Sequence, residues 1–227
     1  MGVFYMLKEC RHVFKLDPAK DITDEALAKI CESETDAIIV GGTDGITEDN
    51  VLNLMARVRR FSVPVALEVT STEAVVPGFD HYFIPAVFNT KDIRWQHGLM
   101  LQALAEYSHL IDYNEMSLLP YIIMNEECKA FEKSDAERVT DEMVPHYINM
   151  LDKLYQTSYI YIEYSGTYGD PEVMRMVRDN AAHSHVIYGG GIGGRDEARE
   201  MAQYADTIVV GNVIYDSTKK ALRTIIK

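Results

Sequence analysis

Two glycine loops, an acid with a hydroxyl, and an alternating strand carrying one inward carboxylate are the parts of this chain that could do chemistry. Tyr188-Gly-Gly-Gly-Ile-Gly-Gly194 follows the apolar pair Val186-Ile187 and precedes Arg195-Asp-Glu-Ala-Arg-Glu-Met-Ala202, which reads as strand, bare loop and helix. Such a loop offers amide N–H groups at a helix N-terminus with no Cβ in the way, and a phosphate suits it. A second copy follows: Thr207-Ile-Val-Val210 runs into Gly211-Asn212, then Ile214, Thr218, Ala221, Leu222 and Ile225 at helical spacing. Either loop alone reads equally well as a glycine-terminated turn. Two adjacent strand ends of this kind are what the last units of a (β/α)8 barrel use to grip a phosphate. Gly189, Gly191 and Gly194 also satisfy the dinucleotide pattern G-x-G-x-x-G. That pattern opens the first βαβ unit of its domain, whereas here it lies near the end of the chain.

Asp17 and Thr43 follow two neighbouring candidate strands and could present a carboxylate and a hydroxyl to one hard cation. Magnesium suits such a pair, because it takes oxygen ligands, often only one or two from protein, with waters and substrate phosphates completing its shell. Asp17 before Pro18 also reads as a turn-forming residue, and spacing leaves both readings open. Lys15 alternates with Phe14 and Leu16, so it is either a partner for an anionic substrate or an ordinary strand-end charge. Tyr159, Tyr161 and Glu163 share one strand face, with Ile160, Ile162 and Tyr164 on the other. An inward carboxylate is costly to bury alone, so Glu163 is either bonded structurally or kept for acid–base work. Ser165-Gly166 beside it offers a third phosphate contact.

The elements that must hold these residues alternate regularly. His12-Val-Phe-Lys-Leu16, Ala37-Ile-Ile-Val40, Pro64-Val-Ala-Leu-Glu-Val69, Tyr82-Phe-Ile84 ended by Pro85, Tyr121-Ile-Ile-Met124 and Tyr159-Ile-Tyr-Ile-Glu-Tyr164 read as strands one to six. Between them lie helical patterns: Leu27, Ile30 and Cys31 after a Thr23 cap, then Val51, Leu54, Met55 and Val58 after Thr47. Met100, Ala103, Leu104, Tyr107 and Ile111 are in register for a long helix, and Met143, Tyr147, Met150, Leu151 and Leu154 for another with Pro145 in its first turn. The stretch from Ser71 to Phe79 contains Pro77 and Gly78 and is too short for an outer helix, so one covering helix is expected to be missing or replaced. Lys129 to Thr140 is polar and the best candidate for a lid. The expected fold is α/β, a modified (β/α)8 TIM barrel formed by residues 1–227 as one domain.

Composition agrees. A chain of 227 residues, 47% hydrophobic, is long enough for one large core. With 22 basic and 35 acidic residues the net charge is −13, which argues against nucleic acid as a partner. Cys10, Cys31 and Cys128 form no C-x-x-C pair and fit a reducing cytoplasm. Met6 stands where a myristoylation signal wants Ser or Thr, the apolar start of the chain has no cleavage site, and no segment is long enough to span or anchor in a membrane.

The motifs His-Val-Phe-Lys-Leu-Asp-Pro (12–18), Thr-Asp-Ala and Gly-Gly-Thr-Asp (35–37 and 41–44), Val-Pro-Gly-Phe-Asp (76–80), Tyr-Ile-Glu-Tyr-Ser-Gly (161–166), Tyr-Gly-Gly-Gly-Ile (188–192) and Val-Gly-Asn (210–212) closely resemble, in order, the geranylgeranylglyceryl phosphate synthase family, in particular its bacterial heptaprenylglyceryl phosphate synthase branch. The resemblance implies a usually dimeric, magnesium-dependent barrel that joins a polyprenyl group, taken from its diphosphate, to the 3-hydroxyl of sn-glycerol 1-phosphate. It assigns Lys15 to the glycerol phosphate, Asp17 and Thr43 to magnesium, and Tyr161, Ile162, Glu163, Tyr164, Ser165, Gly166, Gly191, Gly211 and Asn212 to glycerol and phosphate. Glu163, Tyr161 and Asp17 would be the catalytic set. Ala103 and Tyr107 would belong to the prenyl groove, where a small residue at 103 lets a long chain pass, although such a stripe also reads as plain core packing. Transient membrane contact by the groove edges is the expected route to a lipid substrate. A geranylgeranyl donor, a phosphate-gripping barrel isomerase and a non-catalytic phosphate sensor are the alternatives.

Overall fold

The structure is a computed structural model that describes residues 6–109 and 111–227; the apolar start of the chain, residues 1–5, lies outside them. Eight parallel strands, β1 (His12–Leu16), β2 (Ala37–Val40), β3 (Val65–Glu68), β4 (His81–Val87), β5 (Met116–Ile123), β6 (Tyr159–Glu163), β7 (His185–Gly189) and β8 (Thr207–Val210), close into a barrel in sequence order. Strands that are apolar on both faces demand cover on both, and the strand period of two sorts them. Val13, Ile39, Phe83, Tyr121, Tyr159, Tyr161 and Ile187 fill the interior, closed at one end by Met6, Leu7 and Cys10. Phe14, Leu16, Ile38, Val40, Ile160 and Ile162 point outward into a shell shared with the helices.

That shell is built by α1 (Asp24–Cys31), α2 (Glu48–Val58), α3 (Leu99–Tyr107), α4 (Lys129–Lys133), α5 (Val144–Asn149), α6 (Pro171–Asn180), α7 (Arg195–Met201), α8 (Val213–Asp216) and α9 (Thr218–Leu222). Thr23 and Thr47 cap α1 and α2 as their positions require, Thr47 in a full capping box with Asn50. No α-helix follows β3. A short turn at Thr72–Ala74 stands in its place, as the length of that segment foretold.

Four readings of the sequence are corrected. β4 does not stop at Pro85 and β5 begins well before Tyr121; both run through a proline. The pairing explains it. β3 accompanies β4 only to Phe83, and β6 joins β5 only from Tyr121, so Pro85 and Pro120 each sit where the strand has a neighbour on one side. The buried face of α5 is Val144 and Ile148, continued by Leu151, because a π turn at Met150–Leu154 rotates the helix end; Met143, Leu154 and Tyr155 face out. The long helix expected to reach Ile111 ends at Tyr107 and starts from a π turn at Arg94–Gly98.

Histidines open β1, β4 and β7, each bonded to a hydroxyl. His12 lies between Thr35 and Thr224 at 3.0 Å each, His81 bonds Ser117 at 2.9 Å, and His185 bonds Thr207 at 2.7 Å. Burial pushes His12 and His81 down to about 4 and lowers His185 as well. Imidazoles kept neutral contribute their full stability above about pH 6.5 and lose it as pH falls toward 4, because the unfolded chain takes up protons that the folded one refuses. Melting temperature should therefore fall between pH 6.5 and 4.5, and His81→Gln should show a shallower fall than wild type. Identical slopes for the two proteins would remove His81 from the account.

Candidate active site

The C-terminal ends of β1, β3 and β6 bring Lys15, Asp17, Glu68 and Glu163 to one mouth of the barrel. Lys15 on β1 points inward between Phe14 and Leu16, and its ammonium pairs with Glu68 on β3, whose carboxylate is buried. Glu163, from the last position of β6, is also buried and accepts a hydrogen bond from Ser165 Oγ at 2.8 Å. Burial pushes the Glu163 carboxyl up to about 7, against the pull of Lys15 and Ser165 and with a further push from Glu68. Burial alone would lower Lys15, but Glu68 and Glu163 outweigh it and hold the ammonium above its ordinary value. Tyr161 lies beneath them, stacked on Tyr121 with ring centroids 4.3 Å apart, and burial holds both phenols protonated.

Asp17 leaves β1 at the same rim. Its Oδ1 accepts from Ala19 N at 3.0 Å, and its backbone is gripped by Tyr215, whose hydroxyl accepts from Asp17 N at 2.7 Å. The carboxylate lies against Gly42, where an added Cβ would stand 2.6 Å from Oδ1. Asp17 is thereby pressed onto the backbone that carries Thr43. Asp17 and Thr43, the two oxygen donors singled out in the sequence, follow the neighbouring strands β1 and β2.

On the other side of the mouth, Asn125 Nδ2 donates to Ser165 O at 2.6 Å and fixes the Ser165-Gly166 turn. Gly191, at φ +55°, passes so close to Thr167 and Tyr168 that a Cβ there would stand 2.2 Å from Tyr168 N. The β7 loop thus folds directly onto the β6 loop. Gly211 and Asn212 complete this side, Asn212 beginning α8 and accepting from Lys20 Nζ at 2.9 Å. Ile162 and Tyr164 are different. Their side chains lie on the outer face of β6, Tyr164 against Tyr188, and neither reaches the mouth. Gly193, next in the glycine run, already donates to Glu197 Oε2 at 2.6 Å.

A groove of about 660 Å³ leaves the mouth over the short end of β3. Thr43, Glu68 and Tyr121 line its polar end, and Leu99, Met100, Ala103, Leu104 and Ile111 its apolar end. α3 has no fully buried residue, so its apolar stripe is a groove wall and not core packing. Ala103 lines the groove. Tyr107, read as its neighbour, does not; it stands half-buried at the end of α3. The polar stretch read as a lid contains α4, and it is tied down: Lys133 Nζ donates to Thr43 O at 2.6 Å, Lys129 pairs with Asp44 at 3.1 Å, and Asn89 bonds the backbone of Ile123 and Glu137.

A family model described as the PcrB family matches residues 5–227. The chain belongs to the PcrB family. Family relatives include the heptaprenylglyceryl phosphate synthase of Bacillus mycoides, 47% identical over 97% of each chain, and that of Anoxybacillus flavithermus, 50% identical over 95% of this chain and 94% of that one. The same barrel recurs in the (S)-3-O-geranylgeranylglyceryl phosphate synthase of Thermoplasma acidophilum, solved with its substrate sn-glycerol-1-phosphate, at a TM-score of 0.84 and 21% identity over 98% of this chain and 94% of that one. That likeness fixes the fold of this PcrB-family chain as the TIM barrel expected of it.

Sequence reading gave too little weight to Glu68, Tyr121 and Lys20. Glu68 is the inward residue at the end of β3 and its charge balances Lys15; Tyr121 opens the part of β5 that pairs with β6; Lys20 lies three places past Asp17 in the loop toward Asn212. The alternation of β3 carried a signal for the first, and nothing local marked the other two.

If Gly42 exists to seat Asp17, then Gly42→Ala should leave the melting temperature within a few degrees of wild type while catalytic turnover drops by about tenfold or more. Turnover equal to wild type would show that the carboxylate needs no such seat.

Proposed function

We propose that this protein transfers a heptaprenyl group from heptaprenyl diphosphate to the 3-hydroxyl of sn-glycerol 1-phosphate. The observation that carries the reading is the buried Glu163 carboxyl, pushed up to about 7 by burial, at the barrel mouth from which a long apolar groove leaves past Glu68. A base of that strength can accept a proton from an alcohol as the new bond forms. The groove gives a lipid tail somewhere to lie, which a small-sugar isomerase has no use for. Family membership and the names of the relatives support the same reaction.

In this reading the phosphate of sn-glycerol 1-phosphate lies among the loops of Ser165-Gly166, Gly191 and Gly211-Asn212, with Lys20 at its rim. Lys15 and Tyr161 orient the glycerol beneath it. Ile162 and Tyr164 contribute backbone only. The glycerol oxygen attacks the first prenyl carbon, the bond from that carbon to the diphosphate oxygen breaks, and the electron pair leaves with the diphosphate. Glu163 takes the hydroxyl proton, and the Ser165 hydroxyl holds the carboxylate in place.

Magnesium is part of this proposal. Asp17 and Thr43 fit it, since they offer hard oxygen donors and a carboxylate held by Gly42, while Lys15 is paired with Glu68. When bound, the ion supplies positive charge to the departing diphosphate. The homodimer belongs to the proposal too, and Met143, Leu154 and Tyr155, exposed apolar side chains at the two ends of the α5 segment, are suited to contact with a second copy. Among the described residues no helix is long and apolar enough to cross a membrane, so lipid access is assigned to transient contact through exposed Ile93, Leu101 and Tyr113 around α3. The three cysteines are free, in keeping with the proposed cytoplasmic setting.

Incubation with labelled sn-glycerol 1-phosphate, magnesium and prenyl diphosphates from C15 to C35 should yield most product at C35, and none after chelation. Absence of product at every length would sink the reading. Ala103→Trp should narrow the groove and move the optimum to shorter donors, with C35 turnover reduced by about tenfold or more. The rate at subsaturating substrate should climb through about pH 7 and level off above it, as expected of a base that must be deprotonated. Glu163→Gln should lose at least about a hundredfold and the pH limb with it; a variant that kept both would exclude Glu163 as the base.

A further inference from the structure

A second cavity, about 730 Å³, lies outside the barrel wall between α7 and the C-terminal segment, on the side away from α3. It is basic in a chain of net charge −13. Arg11, Arg195, Arg199, Arg223 and Lys227 line it against one carboxylate, Glu34, which Lys227 already pairs at 2.6 Å.

Three of the cavity's arginines are not paired with acids. Arg57, Arg59, Arg94, Arg138, Arg175 and Arg178 each pair with an acid, whereas Arg195, Arg199 and Arg223 have no carboxylate within 4 Å among the described residues. Two of the three acids of α7 are engaged elsewhere. Glu197 holds Gly193 N at 2.6 Å, and Glu200 accepts from the Tyr168 hydroxyl at 2.7 Å. Arg195 and Arg199 stand four apart on one helix face, a like-charge spacing that costs a helix stability. Arg11 adds a fixed charge at the other end, its guanidinium clasped by the carbonyls of Ala202, Ala205 and Asp206 at 3.0–3.4 Å. Such repulsion is offset when an anion occupies the space between the forks, and guanidinium groups match phosphate oxygens in geometry. The rest of the lining is apolar, supplied by half-buried Leu222, Ile225 and Ile226.

We propose that this cavity is a second ligand site, separate from the catalytic mouth, for a molecule that bears a phosphate or diphosphate group on an apolar body. The headgroup of an anionic phospholipid and a soluble phosphate ester share that chemistry.

The test compares wild type with Arg199→Gln/Arg223→Gln, and with Arg199→Ala alone in case the double variant melts early. Inorganic diphosphate is titrated calorimetrically without magnesium, and flotation is measured with vesicles of phosphatidylglycerol and of phosphatidylcholine. Wild type should bind diphosphate or phosphatidylglycerol vesicles at least about tenfold more tightly than the variants, with the difference shrinking as salt rises and prenyl transfer unchanged within twofold. Binding of diphosphate alone assigns a soluble ligand, and binding of phosphatidylglycerol vesicles but not phosphatidylcholine assigns a lipid headgroup. Equal binding by wild type and both variants, or no binding of either probe by wild type, overturns the proposal.

Discussion

One ammonium between two buried carboxylates governs the polar mouth of this barrel. Lys15, Glu68 and Glu163 sit on inward positions of β1, β3 and β6, where solvation by water is largely lost and each charge must be balanced by its neighbours. One positive charge can balance one negative one. Glu68 takes the ammonium directly, so Glu163 is left with a hydroxyl partner, and its ionised form is the least favoured member of the group. An imbalance built into the scaffold, and not a special property of the residue, sets its proton affinity. The stacked Tyr121 and Tyr161 close the floor beneath and keep water from relaxing the arrangement.

The chain spells out much of this. The β-then-α rhythm, the caps at Thr23 and Thr47, the glycine-ended strands and the inward face of β6 are local patterns, and local patterns survive folding because they follow from the periods of strand and helix. The shortage of residues after β3 likewise announced a missing helix. What escaped the sequence is set by neighbours. Whether Pro85 ends a strand depends on how far β3 extends beside it. The outward turn of Leu154 depends on a π turn that no periodicity records. Ile162 and Tyr164 stand in the right motif, yet the strand's alternation turns their side chains from the mouth that Glu163 enters. Glu68 was visible as a strand end, but its importance lay in a partner on another strand.

The polar segment after β5 teaches a related lesson. Its composition reads as mobile loop, yet α4 within it is fastened to the end of β2 through Lys133 and Lys129, and its exit is fastened to β4 through Asn89. Polarity here reflects bonds made to the barrel rim and not freedom from it. These ties also fix Thr43 and Asp44 from above, so the β2 end is held on one side by α4 and on the other by Gly42 against Asp17.

The unequal heights of the strands have a consequence for traffic. β4 continues four residues past its last partner on β3, a wall rising about 13 Å above its neighbour. With no helix filling the space after β3, the rim is notched on that side like the pouring lip of a jug. A two-ended molecule can therefore lie with its head in the barrel and its tail over the lip. Such a molecule can slide in and out sideways, and its greasy half never has to cross the charged centre.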